Sequence, residues 1–216
     1  MLTDLNSICI NTKIPCDEGL RAFKSLPLHY LLTFENMKIL AFTGMPFSGK
    51  TEAVQIAKDI GIQVIRMGDA VWNEVENRGL ELNDKNVGMV ANEMRKKHGM
   101  AIWAKRTIKK IKTLEEKDII VIDGIRNIEE IEAFKKELGK DFLVIAIDVS
   151  NEARYKRAKK RGRKDDSKNL NEIKERDRRE LGWGLGAVIA SADIVVSNEG
   201  NIDDFKDKIR KTLDEI

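Results

Sequence analysis

The sequence predicts an α/β protein, a three-layer sandwich in which a five-stranded parallel sheet carries helices on both faces. Three observations predict it. Short runs rich in Ile and Val, at 38–43, 63–66, 119–122, 142–147 and 193–197, alternate with stretches of helical period from Met37 onward. That alternation of strand-like and helical stretches argues for a parallel sheet with helices on both faces. The first run leads directly into Gly44-Met45-Pro46-Phe47-Ser48-Gly49-Lys50-Thr51, which fits the phosphate-binding pattern GxxxxGK[ST] in its strand-loop-helix setting. The third run ends in Asp123, where a carboxylate stands in the crevice at which open α/β sheets bind ligands.

Residues 1–36 differ from the rest of the chain. They hold both cysteines (Cys9, Cys16), two of three prolines (Pro15, Pro27) and one of two histidines (His29), with no sustained period. We expect an extension here, disordered or an upstream mis-start, with the folded domain at 37–216. The first strand then opens at Lys38. In the P-loop, backbone N–H groups can wrap a polyphosphate, Lys50 can reach its outer phosphates and the Thr51 hydroxyl can hold Mg²⁺. Gly44 and Gly49 allow backbone angles and close approach that a Cβ would block. The next helix places Val54, Ala57 and Ile60 on one face and stops at Gly61.

Between the second and third strands lies an insertion at 67–112, longer than a minimal βαβ unit needs. Within it Asn83 or Asp84 can cap a helix whose Val87, Val90, Ala91 and Met94 repeat at three and four before Gly99 ends it. After the third strand, Asn127 and Glu130 make a capping-box-like start, followed by Ile131, Phe134 and Leu138 on one face and Gly139 as the stop. The last helix opens at Asn201 and should bury Ile202, Phe205, Ile209 and Leu213.

Two basic segments come after the fourth strand. Residues 154–164 carry eight Lys or Arg in eleven positions. Most belong to a solvated face, but positions 154, 157 and 161 fall on one helical face, so Arg157 and Arg161 could project together toward a triphosphate, in the manner of phosphoryl-transfer sites that work by positioning and charge neutralisation. Asp165 and Asp166 could tether these arginines in a short lid at 157–170. The second segment, Arg176, Arg178 and Arg179, is laced with Glu172, Glu175 and Glu180 and reads as surface ion pairs. Arg126, three residues beyond Asp123, would stand over the crevice, where its planar fork suits a phosphate.

Composition excludes several classes. Charged residues are 35% of the chain and apolar residues 42%, with a net charge of +3. No stretch is long and apolar enough to span a membrane, and no secretory leader is expected. The cysteines give neither a disulfide framework nor metal spacing, which suits a reducing cytoplasm. The basic run has one aromatic, Tyr155, so a nucleic-acid stacking platform is poorly supported. No NKxD motif and no DxxG after the third strand point to a GTPase.

From Met37 the chain resembles the adenylate-kinase and dephospho-CoA-kinase branch of the P-loop kinases. More closely it resembles an uncharacterised archaeal family of kinase-like ATP-binding proteins, through MGD (67–69), DGIR (123–126), GRKDD (162–166) and RDRRELGWG (176–184). The resemblance implies a P-loop NTPase fold of the nucleoside monophosphate kinase type. In it Gly68 and Asp69 open the monophosphate-binding insertion, Asp123 assists Mg²⁺, Arg126 holds the acceptor phosphate and Arg157 and Arg161 are lid arginines. Arg163, Asp165 and Asp166 match the lid exit, and Asn198-Glu199-Gly200 the loop that meets adenine. Two departures concern the acceptor. Trp72 stands where adenylate kinases place an arginine, and the proline of their DGFPR stretch is missing. Arg66, Arg78 or Arg95 could supply the charge, Arg95 being favoured by its place beside Met94. Trp72 reads as a core residue of a two-helix insertion, with stacking on a base as the alternative.

The reading is an ATP-binding, Mg²⁺-dependent phosphotransferase for a small phosphorylated acceptor, a nucleoside monophosphate or coenzyme precursor. The P-loop residues 44–51, Asn198 and Gly200 would bind ATP. Thr51 and Asp123 would hold Mg²⁺, and Lys50, Asp123, Arg126, Arg157 and Arg161 would act in transfer. A monomer or homodimer is expected, without membrane or nucleic-acid partners. The alternative is a slow ATPase that switches an RNA or protein partner.

Overall fold

The five strands order β2-β3-β1-β4-β5 and every pairing is parallel. The computed structural model describes residues 37–114, 118–139, 141–160 and 170–216, so the expectations for residues 1–36, and for Arg161, Arg163, Asp165 and Asp166, lie outside the described residues. The strands are β1 (Lys38–Thr43), β2 (Gln63–Arg66), β3 (Ile119–Asp123), β4 (Phe142–Asp148) and β5 (Ile194–Ser197). The helices are α1 (Lys50–Asp59), α2 (Met67–Asn77), α3 (Asp84–His98), α4 (Ile102–Ile111), α5 (Ile128–Leu138), α6 (Asn151–Lys160), α7 (Leu170–Gly182), α8 (Leu185–Ala190) and α9 (Ile202–Asp214). The α/β class and the all-parallel five-stranded sheet are as the sequence predicts.

Side chains of successive strand residues point to opposite faces, and both faces are covered. On one, Leu40, Phe42, Val121, Ile145 and Ile147 pack with Ala53, Val54 and Ala57 of α1 and Phe205, Ile209 and Leu213 of α9. On the other, Phe134 of α5 stacks on Phe142 of β4 with ring centroids 6.0 Å apart. Each fully buried side chain of this size stabilises the fold by roughly 1.5–3 kcal/mol.

Two helix faces depart from the sequence reading. Ile60 and Ile202 are about half exposed; Ile60 is the C-cap of α1 and Ile202 the first residue of α9, beside the cleft. The insertion holds three helices, α2 to α4, rather than two. Its buried tryptophan is Trp103, which is 1% exposed and donates from Nε1 to the Ala91 carbonyl at 3.4 Å. Trp72 is only partly buried and faces a cleft.

Capping agrees with the sequence. The side chains of Asn83, Asn127 and Asn201 each accept the N–H three residues on, from Asn86, Glu130 and Asp204. The capping box at α5 is altered. The Glu130 carboxylate accepts the Arg126 N–H at 2.8 Å, one residue before the cap, and so ties the chain after β3 to the first turn of α5.

The register aligns Arg66 with Asp123 and Phe42 with Asp123 across neighbouring strands. The carboxyl ends of β1, β2 and β3 therefore form one edge. β1 lies between β3 and β4, so the chain leaves its end at the crossover point where such sheets open a crevice.

Candidate active site

That crevice opens into a cleft of about 590 Å³. Its first wall is the P-loop. Gly44 and Gly49 take φ of 140° and 110°, and a Cβ on Gly49 would lie 2.2 Å from Asn198 Nδ2, so both positions require glycine. Phe47 also has positive φ, 64°, and is held there because its ring is buried against Ala158 and Ile173. No side chain caps α1 at Gly49, which leaves amides at the helix N-terminus turned to the cleft beside Lys50 and Thr51. The buried Ser48 hydroxyl has no partner among the described residues. Unspent amides, an unpartnered hydroxyl and a positive helix end together suit a polyphosphate.

Lys50 Nζ donates to the carbonyl oxygens of Gly44 at 2.6 Å and Met45 at 3.2 Å. Burial and, next, the Arg126 guanidinium lower its pKa to about 8, against the opposing pull of Glu180 and Asp123. Asp123 and Thr51 both face the cleft, and Arg66 Nε lies 3.8 Å from Asp123 Oδ2 and from Asp69. Among the described residues no group of three His, Cys, Asp or Glu is placed to hold a metal. Thr51 and Asp123 suit Mg²⁺, which commonly takes one or two protein ligands and completes its shell with phosphate and water.

Of the other residues named from sequence, Arg126, Asn198 and Gly200 line the cleft. Arg157 lines it too, but its guanidinium is engaged with the loop walls. It donates to the Asn198 carbonyl at 2.6 Å and to that of Ser48 at 3.3 Å, while Asn198 Nδ2 donates to the Ser48 carbonyl at 2.8 Å. Arg157 thus fastens β5's end to the P-loop. His98 is exposed at the end of α3.

Several site residues were missed or misread. The helix α7 is not a surface of paired charges. Its Arg176, Arg179 and Glu180 face the cleft, and Glu180 is 3% exposed. Glu180 meets Arg126 Nε at 3.3 Å and Arg176 Nε at 3.1 Å. Burial alone would raise its pKa, but Arg126, Arg176 and Lys50 outweigh that and hold it at about 2. Asp84 accepts from Arg179 by both carboxylate oxygens at 2.9 Å, joining the insertion to α7. Arg154, on the same helical face as Arg157 but given no partner from the sequence, is 1% exposed; it pairs with Asp177 and donates to the Pro46 carbonyl. Only a period-3.6 reading of α7, whose buried residues are Ile173, Asp177 and Glu180, could have signalled that this helix has an inner face.

The second wall is the insertion. Met67, Gly68, Val71 and Trp72 of α2, the α3 stripe Val87, Gly88 and Ala91, and Trp103 of α4 face the cleft. Arg95, at the end of that stripe, is 5% exposed and gives one nitrogen to Glu130 at 3.1 Å. Its Nε and other terminal nitrogen have no hydrogen-bond partner among the described residues. Arg66 also lines the cleft, whereas Arg78 is spent on Glu74 and Glu93.

Comparison with known proteins places the chain. A family model described as an AAA domain matches residues 43–174. A UPF0200/UPF0201 protein of Archaeoglobus fulgidus is 49% identical over 178 residues, covering 82% of this chain and 55% of the relative. A UPF0200 protein of Methanosarcina barkeri is 46% identical over 177 residues, covering 82% of this chain and 95% of the relative. The chain therefore spans about half the length of the first relative and nearly all of the second. Among solved structures, TT1252 from Thermus thermophilus matches with a TM-score of 0.60 at 16% identity, covering 84% of this chain and 99% of that one. A shikimate kinase from Acinetobacter baumannii, in complex with shikimate, matches at 0.50 and 15% identity, covering 84% and 94%. These structures bear on the fold alone, and the sequence relatives fix the lineage: on a P-loop kinase-like fold with an AAA domain, the chain belongs to the archaeal UPF0200 family.

Proposed function

We propose that this protein is a Mg²⁺-ATP-dependent phosphotransferase that acts on a small phosphorylated acceptor. The observation that carries the reading is that one cleft has two compartments. The P-loop wall supplies amides and Lys50, the insertion supplies an enclosed second wall, and Arg126 stands in the same cleft. A hydrolase that only switches a partner has no use for the second compartment.

The residues divide the work by position. The α1 N-terminal amides and Lys50 bind the donor's phosphates, and Asn198 and Gly200 border the nucleoside side. Thr51 and Asp123 would hold Mg²⁺, which supplies charge neutralisation when bound. Lys50, deprotonated more readily than an ordinary lysine when the cleft holds no anion, is driven to its charged form by phosphate and neutralises the transferring group. Arg126 orients the acceptor by its fork, held in place by Glu180. An ionised phosphate acceptor needs no general base, and none is required of His98. Fixing both reactants in one cleft is the main source of acceleration in such a reaction.

The test is ADP release by the full chain with Mg²⁺-ATP, with and without a panel of phosphorylated acceptors, followed together with the phosphorylated product. An acceptor should raise ADP release, and Arg126→Ala should reduce that component by about a hundredfold while basal hydrolysis persists. Acceptor-dependent turnover untouched by Arg126→Ala would remove Arg126 from the assignment.

A further inference from the structure

The insertion's wall differs in chemistry from the P-loop's. The face that α3 turns to the cleft is Asp84, Val87, Gly88, Ala91 and Arg95, spaced by three and four so that they form one stripe along the helix. At one end Asp84 is consumed by Arg179. At the other, Arg95 is almost fully buried, with two nitrogens unpartnered among the described residues. Between them the wall is apolar, completed by Met67, Val71, Trp72 and Trp103, and offers no side-chain amide or hydroxyl.

A buried guanidinium with idle N–H groups is costly unless an anion meets them. Glu130 satisfies only one of the Arg95 nitrogens, and the Trp183 ring, 4.3 Å from the guanidinium carbon, covers a face without accepting a bond in the guanidinium plane. Glu130, itself fully buried, also accepts the backbone N–H of Arg126. One carboxylate therefore ties Arg95 and the start of the Arg126 segment together, which brings two arginines to the junction of the compartments.

We propose that this compartment binds the acceptor, and that the acceptor is an aryl or alkyl phosphate whose phosphate is held by Arg95 and Arg126 and whose apolar body lies on the wall of Val71, Val87, Ala91 and Trp103. The inference rests on the phosphotransferase reading and narrows it. A nucleobase is read by hydrogen bonds at its edges, and the stretch formed by Val71, Val87, Ala91 and Trp103, whose indole N–H is spent on the Ala91 carbonyl, leaves such groups unpaired. In the reaction an oxygen of the acceptor phosphate forms a bond to the terminal phosphorus of ATP as the bond from that phosphorus to the ADP oxygen breaks. The products are ADP and an aryl or alkyl diphosphate.

All three tryptophans, Trp72, Trp103 and Trp183, line the cleft, so their fluorescence reports binding without turnover. The experiment titrates the full chain, saturated with Mg²⁺ and a non-hydrolysable ATP analogue, with inorganic phosphate, phenyl phosphate, hexyl phosphate, AMP and CMP. Phenyl or hexyl phosphate should bind at least tenfold more tightly than inorganic phosphate or either nucleotide. Arg95→Lys, which retains a charge for Glu130, should weaken that binding about tenfold without changing analogue affinity. If its melting curve shows a misfolded protein, Val87→Glu decides instead, since Val87 is only partly buried and an added carboxylate should repel the ester by a similar factor. Equal binding of inorganic phosphate, tighter binding of AMP or CMP, or indifference to the deciding variant overturns the proposal. Turnover assays separate the two readings. Phenyl phosphate that binds as stated but is never phosphorylated contradicts the phosphotransferase, and phosphorylation of AMP or CMP alone keeps the phosphotransferase and removes the apolar acceptor.

Discussion

Both carboxylate oxygens of Asp177 hold the guanidinium of Arg154, at 2.8 and 3.0 Å, while the same group donates to the Pro46 carbonyl at 2.9 Å. The pair bolts the P-loop to α6 and α7, and both residues are buried. Removing one partner strands a buried charge. Arg154→Met should cost about 3–5 kcal/mol in urea unfolding and weaken nucleotide binding. Arg154→Met with Asp177→Leu should regain most of the stability but not the binding. A single variant that loses less than about 1 kcal/mol contradicts this view.

Glu180 makes a pH prediction. Its folded pKa of about 2 lies below the ordinary 4.5, so between these values the unfolded chain takes up a proton that the folded chain refuses. Its stabilising contribution is present above about pH 4.5 and is lost as pH falls toward 2. The stability difference between wild type and Glu180→Gln should narrow by about 3 kcal/mol over that window. A difference that stays constant from pH 6 to pH 2 contradicts the assignment.

The sheet was legible because parallel strands buried on both faces must be apolar throughout, as Ile119 to Ile122 are, and because glycine and lysine in fixed positions mark the P-loop. Cap residues Asn83, Asn127 and Asn201 were legible for a local reason, since each bonds within its own turn. What was not legible depends on residues far apart in sequence. Arg154 falls on the face of Arg157 by its period, but nothing local names its partners Asp177 and Pro46. Glu180 looks like a surface acid of a charged helix until Arg126 meets it, and Trp72 looks like core until Trp103 is found to fill that place. Charge alone cannot say which side of a helix is inside when several cations are buried with their partners.

Lys50 predicts how binding depends on pH. With no phosphate bound, its ammonium gives up its proton at about pH 8; bound phosphate favours the charged form. Above pH 8 binding must take up a proton, so affinity for an ATP analogue should fall as pH rises, by up to about tenfold per pH unit. Calorimetry in buffers of different ionisation enthalpy should show proton uptake at pH 9 and little at pH 7. Lys50→Arg should remove the dependence, and a wild-type affinity that is flat from pH 7 to pH 9.5 contradicts it.

Two glycines should respond to alanine to different degrees. At Gly49 the added carbon meets Asn198 at 2.2 Å with φ of 110°; Gly49→Ala should cost about 1–3 kcal/mol and abolish analogue binding. At Gly88, inside α3, it meets the Arg179 guanidinium at 2.7 Å, so that long side chain must shift and loosen its pair with Asp84. Helix propensity favours alanine by about 1 kcal/mol and offsets that loss, so Gly88→Ala should melt within a few degrees of wild type.

The most direct measurement is Mg²⁺-ATP turnover by the full chain across phosphate acceptors, with ADP and phosphorylated product followed in the same reaction for wild type and Arg126→Ala. The account predicts that one acceptor raises ADP release, leaves as a product with one more phosphate, and loses this response in Arg126→Ala. Slow ADP release that is indifferent to every acceptor contradicts it and makes the ATPase switch the better account.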